Sequence, residues 1–356
     1  MKSFDLPRIM AIVLLSVLPI VMIVLILLAG NGIFSICAVA AFPEGVVGYI
    51  SDYNTDDLNF NEFYNKEPAV QPSDKVDTAA GNAGDSKTVS VKEAVMGNII
   101  KKTLSPYSAK YKYNNVYLSN STGTEINIAD ELSKPLEFSI TKSSEPQVLI
   151  YHTHTTESYM QSEEDYYTTT DEPRTTDETK NVVAIGEVVK QRLEAAGYIV
   201  IHDKTIHDYP GFSGSYSRSA ETVKANLAKY PSIKIVIDIH RDSISGGDND
   251  KVAPVVEVNG KEAAQVMLVM GSQTGTITDH PHWRQNLRLA LKLQYLFEST
   301  YPKFARTMLL RSTKYNQNLS TGAFLIEIGS EANTMEQAVY SAELVGDTLC
   351  RLLQSQ

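Results

Sequence analysis

The chain opens on an unbroken apolar run. From Ile9 to Gly30 no residue is charged, and the next charge is Glu44. A run of that length can cross a bilayer, and Pro19 within it is tolerated in a membrane helix. Lys2 and Arg8 precede it and acidic residues follow, so the positive-inside rule puts the N-terminus in the cytoplasm and the rest of the chain outside. Ala38–Val39–Ala40 offers a signal-peptide cleavage site, but the run exceeds a signal peptide's apolar core. An uncleaved single-pass anchor over residues 1–45 is therefore expected. Residues 46–90 are rich in Asp, Asn, Ser, Gly and Pro, and read as a flexible extracytoplasmic linker. Beyond it, Val91, Ala94, Val95, Ile99 and Ile100 predict a helix from Ser90 to Lys102. Lys110–Leu118 is aromatic and β-prone around an Asn-Asn turn, and Glu125–Ile128 predicts a short strand. These form an expected small accessory region over residues 91–145.

From residue 146 to 356, strand and helix patterns alternate. Val148–Tyr151 predicts a buried strand, followed by a polar loop over Gln161–Thr179. Helical spacing covers Asn181–Ala196, with Gly197 as its stop, and a strand follows at Tyr198–Ile201. A helix over Ser217–Lys229 leads to Ile233–Ile239, the strongest strand signal in the chain. Strands at Ala253–Val258 and Ala264–Met270 flank a hairpin signal, Asn259-Gly260. A helix at Trp283–Thr300, strands at Thr307–Leu310 and Ala323–Ile328, and a closing helix at Met335–Gln354 complete an α/β sandwich with a mixed sheet.

Composition narrows the function. The net charge of −10 argues against nucleic-acid binding. The two cysteines, Cys37 and Cys350, lie at opposite ends of the chain and supply neither a disulfide framework nor a thiolate metal site. All seven histidines fall between His152 and His282. His154 and Glu157 stand as H-x-x-E just past the first strand of this region, where α/β sheets gather ligands. A tight turn brings imidazole and carboxylate to one side, both suited to a Zn²⁺ ion. Taken alone, H-x-x-E is common by chance, and its weight comes from its company. His240 ends the strand IKIVIDI in the same topological place as His154. Glu327 lies inside the apolar strand FLIEIGS, where a carboxylate is expensive unless paired or titrated. His154, Glu157 and His240 as metal ligands, with Glu327 as the proton-transferring residue, make the minimal kit of a zinc hydrolase. His152 alternates with His154 and is placed behind the ligands. His202, His207, His280 and His282 are loop candidates, His282 being chosen for substrate contact. Arg241, Asp242, Arg284 and Arg311 are candidates for holding peptide carboxylates, with ordinary ion pairing an equal reading.

The blocks IYHTHTTESY, TKNVVAIG, GSYSRSAETVK, IDIHRDS, KVAPVVEVNGKEAAQ, HWRQNLRLALKLQ and FLIEIGSEANTMEQA resemble the stage II sporulation protein P (SpoIIP) family, from about Leu104 to the C-terminus. The resemblance implies a membrane-anchored zinc hydrolase of the zinc amidase fold (phosphorylase/hydrolase-like). It would cut the amide between N-acetylmuramic acid and L-alanine in peptidoglycan, and also peptide cross-links. The implied partners are a lytic transglycosylase (SpoIID) and a membrane protein (SpoIIM), in engulfment of the forespore. Against the zinc amidase pattern, His154, His240 and Glu327 match directly. Glu178 offers an alternative second ligand by its distance from Gly197, whereas Glu157 lies in the family's own motif block and is preferred. The competing readings are a non-catalytic peptidoglycan-binding scaffold and a peptidase acting on the stem peptide alone.

Overall fold

A computed structural model describes residues 94–106 and 109–355. The expected anchor and linker lie outside the described residues. Among the described residues no helix is long and apolar enough to cross a membrane. In chain order the elements are β1 (Val95–Lys102), β2 (Tyr111–Tyr113), β3 (Val116–Asn120), α1 (Ile128–Ser133), β4 (Val148–Tyr151), β5 (Tyr166–Thr168), α2 (Val182–Ala195) and β6 (Val200–His202). They continue with α3 (Ser215–Lys229), β7 (Ile235–Asp242), β8 (Ser245–Gly247), β9 (Asp250–Val258), β10 (Lys261–Ala264) and β11 (Val266–Gly271). The last are α4 (Trp283–Thr300), β12 (Met308–Arg311), β13 (Ala323–Ser330) and α5 (Met335–Gln354).

Eight strands form the large sheet, in the order β2-β3-β12-β11-β13-β7-β4-β6. Neighbours from β13 to β6 are parallel, and β11 runs against β13, so the sheet is mixed as the alternation predicts. A smaller sheet has the order β10-β9-β1-β5, with β8 also on β9. Local chemistry sets the ends of the elements. The Asn181 side chain accepts from Val183 N and starts α2, and Gly197, at φ +90°, ends the turn after it. Thr334 and Gln337 form a capping box at the start of α5. Asn259 and Gly260 both take positive φ and close the β9–β10 hairpin.

Three expectations change. Ser90–Lys102 is not a helix: its described part is β1, which pairs in parallel with β9 and antiparallel with β5. Among its residues Ile99 alone is buried, so no apolar helical face is served there, and two open strand edges take up its backbone instead. Glu125–Ile128 is not a strand. Asn127 caps Asp130 N and starts α1 at Ile128. The second hairpin strand also splits in two. Gln265 turns the chain from β10 in the small sheet into β11 in the large one. The described residues of the 91–145 stretch join both sheets. They supply β1 to the small sheet, β2 and β3 to the edge of the large one, and α1 against α4.

The two faces of the large sheet follow strand alternation. Val148, Ile150, Ile235, Ile237, Ile239, Phe324, Ile326 and Ile328 enter the main core beneath α2, α4 and α5. Leu149, Tyr151, Val236 and Ala323 turn the other way and meet Val223 and Leu227 of α3. Period two then sends Asp238, His240 and Glu327 to the α3 face as well. In the β7–β13 ladder Glu327 sits directly beside His240.

Gln265 is fully buried at the corner between the sheets. It accepts from Leu104 N at 2.7 Å and donates to Leu104 O at 3.1 Å and Lys303 O at 2.7 Å. Gln265→Ala leaves those groups without these partners, and the expected loss is about 3 kcal/mol of stability, read as a lower urea midpoint. A midpoint equal to wild type would mean that the backbone alone holds the corner.

Candidate active site

Past Tyr151 the chain leaves β4 and its histidines diverge. His152 lies on the α2 side. Its Nδ1 is 2.9 Å from Ile239 O, and its Nε2 is 2.9 Å from His202 Nε2. His202 Nδ1 in turn meets Glu187 at 3.1 Å. Gly186 makes room for the pair: a Cβ there would stand 2.6 Å from His202 Nε2 and 2.9 Å from His152. Burial, with His202 beside it, pulls the His152 imidazole down to about 3 and keeps it neutral.

Thr153 ties this strand end to β7. Its N–H and hydroxyl donate to the two oxygens of Asp238, at 2.8 and 2.6 Å. His154 then meets His240, ring centroids 5.2 Å apart and planes nearly perpendicular. Glu157 N–H donates to His154 O, so H-x-x-E closes one turn. One Glu157 oxygen accepts from Arg241 N at 3.1 Å and lies 3.4 Å from His240 Nδ1. The other lies 3.8 Å from Arg174. His240 Nε2 stands 2.9 Å from Asp238 Oδ1, a contact of charge whose alignment is too poor for a hydrogen bond.

Electrostatics separate these groups. Burial alone would lower His240, but the Asp238 and Glu157 carboxylates hold it well above its ordinary value. Burial alone would raise Glu157, but His240, Arg241 and His154 hold it below the carboxylate range. Asp238 is likewise held down against its burial, by His240 and the Thr153 bonds. His154 falls to about 4, because burial outweighs the pull of Glu157. Burial pushes Glu327 up to about 8, the charge of His240 notwithstanding.

Among the described residues no group of three or more His, Cys, Asp or Glu side chains stands as a ready-made metal cage. The donor set nevertheless fits a divalent cation in kind. His154 Nδ1 is buried without a hydrogen-bond partner, and His240 turns its Nδ1 toward Glu157 Oε2 at 3.4 Å while its Nε2 faces Asp238. Glu327 Oε2 is buried and unpartnered as well.

Of the other expected site residues, Arg241 meets the cluster through its backbone N–H on Glu157. Glu178 is exposed and pairs with Lys204 at 3.5 Å. Arg241 is buried, and its guanidinium bonds Ser158 O and Pro173 O, which holds the polar loop. Asp242 pairs with Arg306 at 2.8 Å. Arg284, on α4, lies over Trp283 and 3.4 Å from Glu131. His282 is the residue before α4. Arg311 donates to Ser121 at 3.3 Å. The β11 register puts Arg311 opposite Gly271 and Glu327 opposite Met267. Four residues at about 3.3 Å each separate them by about 13 Å along the strands. His207 bonds His152 O and Thr222 and serves the loop. His280 is buried apart from the site with both ring nitrogens unpartnered.

Several neighbours of the site carry no motif. Phe212 stacks on His154, centroids 4.6 Å apart and planes 11° apart, and Tyr216 meets the same ring edge-on at 5.7 Å. Asp208 is buried, accepts from Thr156 and pairs with Arg174 at 2.6 Å. Asp238 had a visible signal, an acid inside an apolar strand, as Glu327 did. Arg174, Asp208 and Phe212 sit on loops with no periodicity to expose them.

The model of the stage II sporulation protein P family matches residues 54–350. Stage II sporulation protein P of Bacillus subtilis (strain 168) is 28% identical over 216 residues, covering 58% of this chain and 50% of that protein. The chain thus spans about half the length of this relative. Among solved structures, the N-acetylmuramoyl-L-alanine amidase AmiC2 of Nostoc punctiforme is 13% identical, with a TM-score of 0.36 over 60% of this chain and 97% of that one. An N-acetylmuramoyl-L-alanine amidase from Clostridium difficile 630 is 16% identical, with a TM-score of 0.36 over 60% of this chain and 100% of that one.

Glu327 ties stability to pH in the metal-free chain. Its folded value lies near 8 against an ordinary 4.5. Its contribution is therefore intact below about 4.5 and is lost as pH rises toward 8. Glu327→Gln should melt above wild type at pH 8.5 and level with it at pH 4.5. The same gain at both values would mean that the benefit is packing and not charge.

Proposed function

The chain belongs to the stage II sporulation protein P family, and from that premise we propose that it is a membrane-anchored zinc hydrolase of sporulation peptidoglycan. It cuts the amide between N-acetylmuramic acid and L-alanine, and also stem-peptide cross-links, during forespore engulfment. The reading is carried by one observation. His154 and Glu157, past the end of β4, converge on His240 in β7, with a half-buried Glu327 next to His240 in the ladder.

In this reading His154, Glu157 and His240 hold Zn²⁺. When bound, the ion polarises the scissile carbonyl and acidifies a water. Glu327 takes the proton of the attacking water and delivers it to the leaving nitrogen as the C–N bond breaks. Its raised proton affinity suits both transfers. Asp238 anchors His240 from behind and, through Thr153, sets the turn that carries His154. Arg241 serves the site by holding the polar loop. Arg284, Arg311 and His282 would read the far end of a stem peptide or a neighbouring strand. Residues 9–30 anchor the enzyme with its catalytic domain outside the membrane, residues 46–90 give it reach, and SpoIID and SpoIIM are its partners there.

Purified sacculi digested by the full chain, with products weighed by mass spectrometry, test the reading. Intact stem peptides and lactyl-ended glycan should appear, and chelation should stop them. Glu327→Gln and His240→Ala should each slow release by about 100-fold or more. Peptide fragments without lactyl-ended glycan would replace the amidase with a stem-peptide peptidase. Metal uptake without release, even with SpoIID present, would leave a peptidoglycan-binding scaffold.

A further inference from the structure

Resting on the zinc reading above, the geometry points to Arg174 and Phe212 as positioning residues that hold His154 and Glu157 in register for the metal. A metal-binding histidine is usually steered by a hydrogen bond from its second ring nitrogen. His154 has no side-chain hydrogen bond among the described residues. Its ring is held by aromatic contact instead, with Phe212 flat against one face at 4.6 Å and Tyr216 and His240 edge-on. The Arg174 guanidinium lies over the Phe212 ring, 4.6 Å from its centroid. Guanidinium, phenyl and imidazole thus form one stack that ends on the first candidate ligand.

The same guanidinium reaches the second. Arg174 Nη2 is 3.8 Å from Glu157 Oε1, while Glu157 Oε2 faces His240 and Arg241 N. With one oxygen set toward Arg174, the other is presented to His240. A cation beside a metal site would ordinarily repel the ion. Here Asp208, 2.6 Å from Arg174 Nη1, neutralises that charge, so the effect left to Arg174 is geometric. The arrangement is built and not casual. Asp208 is itself pinned by Thr156 N and Oγ1, Thr175 N donates to Thr156 O, and Glu157 and Arg174 form a β-bridge. Two loops from different parts of the chain, one carrying Arg174 and the other Asp208 and Phe212, close on the H-x-x-E turn together. Phe212 remains 43% exposed, so packing alone does not account for an aromatic side chain at that place.

Metal affinity of the full chain tests this without reference to turnover. Zn²⁺ binding is read by competition with a chromophoric chelator, the geometry of the site by the visible spectrum of the Co²⁺ form, and folding by the melting of the metal-free chain. Phe212→Leu and Arg174→Gln should each weaken Zn²⁺ about tenfold and shift the Co²⁺ bands, with Phe212→Leu melting near wild type. Phe212→Tyr keeps the stack and should restore both readouts. Arg174→Lys keeps the charge, lacks the plane, and should not. Unchanged affinity and Co²⁺ bands in Phe212→Leu and Arg174→Gln would overturn the proposal, as would full rescue by Arg174→Lys. A wild-type chain that takes up neither metal would instead bring down the zinc reading itself.

Discussion

Asp238 is a carboxylate buried at 1% exposure in the middle of the large sheet. A charge in that position destabilises the fold unless its partners are close and well directed. It has them on both sides. The Thr153 N–H and hydroxyl satisfy its two oxygens from just past β4, and the His240 imidazole stands against it from its own strand. The site depends on this compensation. It locks the end of β4 to β7, sets where the H-x-x-E turn begins, and keeps His240 beside Glu157.

Strand alternation supplies the second constraint. Apolar residues of odd number in β7 and of even number in β13 fill the main core, so Asp238, His240 and Glu327 are turned together to the α3 face. His152 obeys the same rule with the opposite result. It follows Val148 and Ile150 toward α2 and joins His202 and Glu187 there, against Gly186. Two histidines separated by one residue therefore take unrelated roles, one a buried neutral group in the scaffold and the other at the site.

Much of this was legible in the chain. The helices at Trp283–Thr300 and Met335–Gln354 have the bounds their periodicity predicts, and the strand series on either side of Asn259-Gly260 is present. Glu327 was conspicuous because an acid in an apolar strand needs a reason. The stretch before Lys102 misled, because its apolar spacing imitates a helical face while its backbone is taken by the edges of β5 and β9. Gln265 gave no sign that it would turn one apparent strand into members of two sheets, since that depends on Leu104 and Lys303, far away in sequence.

By itself the sequence determined the alternation of strands and helices, the H-x-x-E turn and the acid within an apolar strand. Each of these rests on neighbours a few residues apart, where periodicity and capping act. Tertiary structure alone decided what surrounds them. Asp238 meets Thr153 across 85 positions, and Arg174 meets both Asp208 and Phe212 from another loop. Each of those contacts has at least one partner in an irregular segment with no period to read. They are set by the burial of charge, which selects partners by proximity in space and leaves no pattern along the chain.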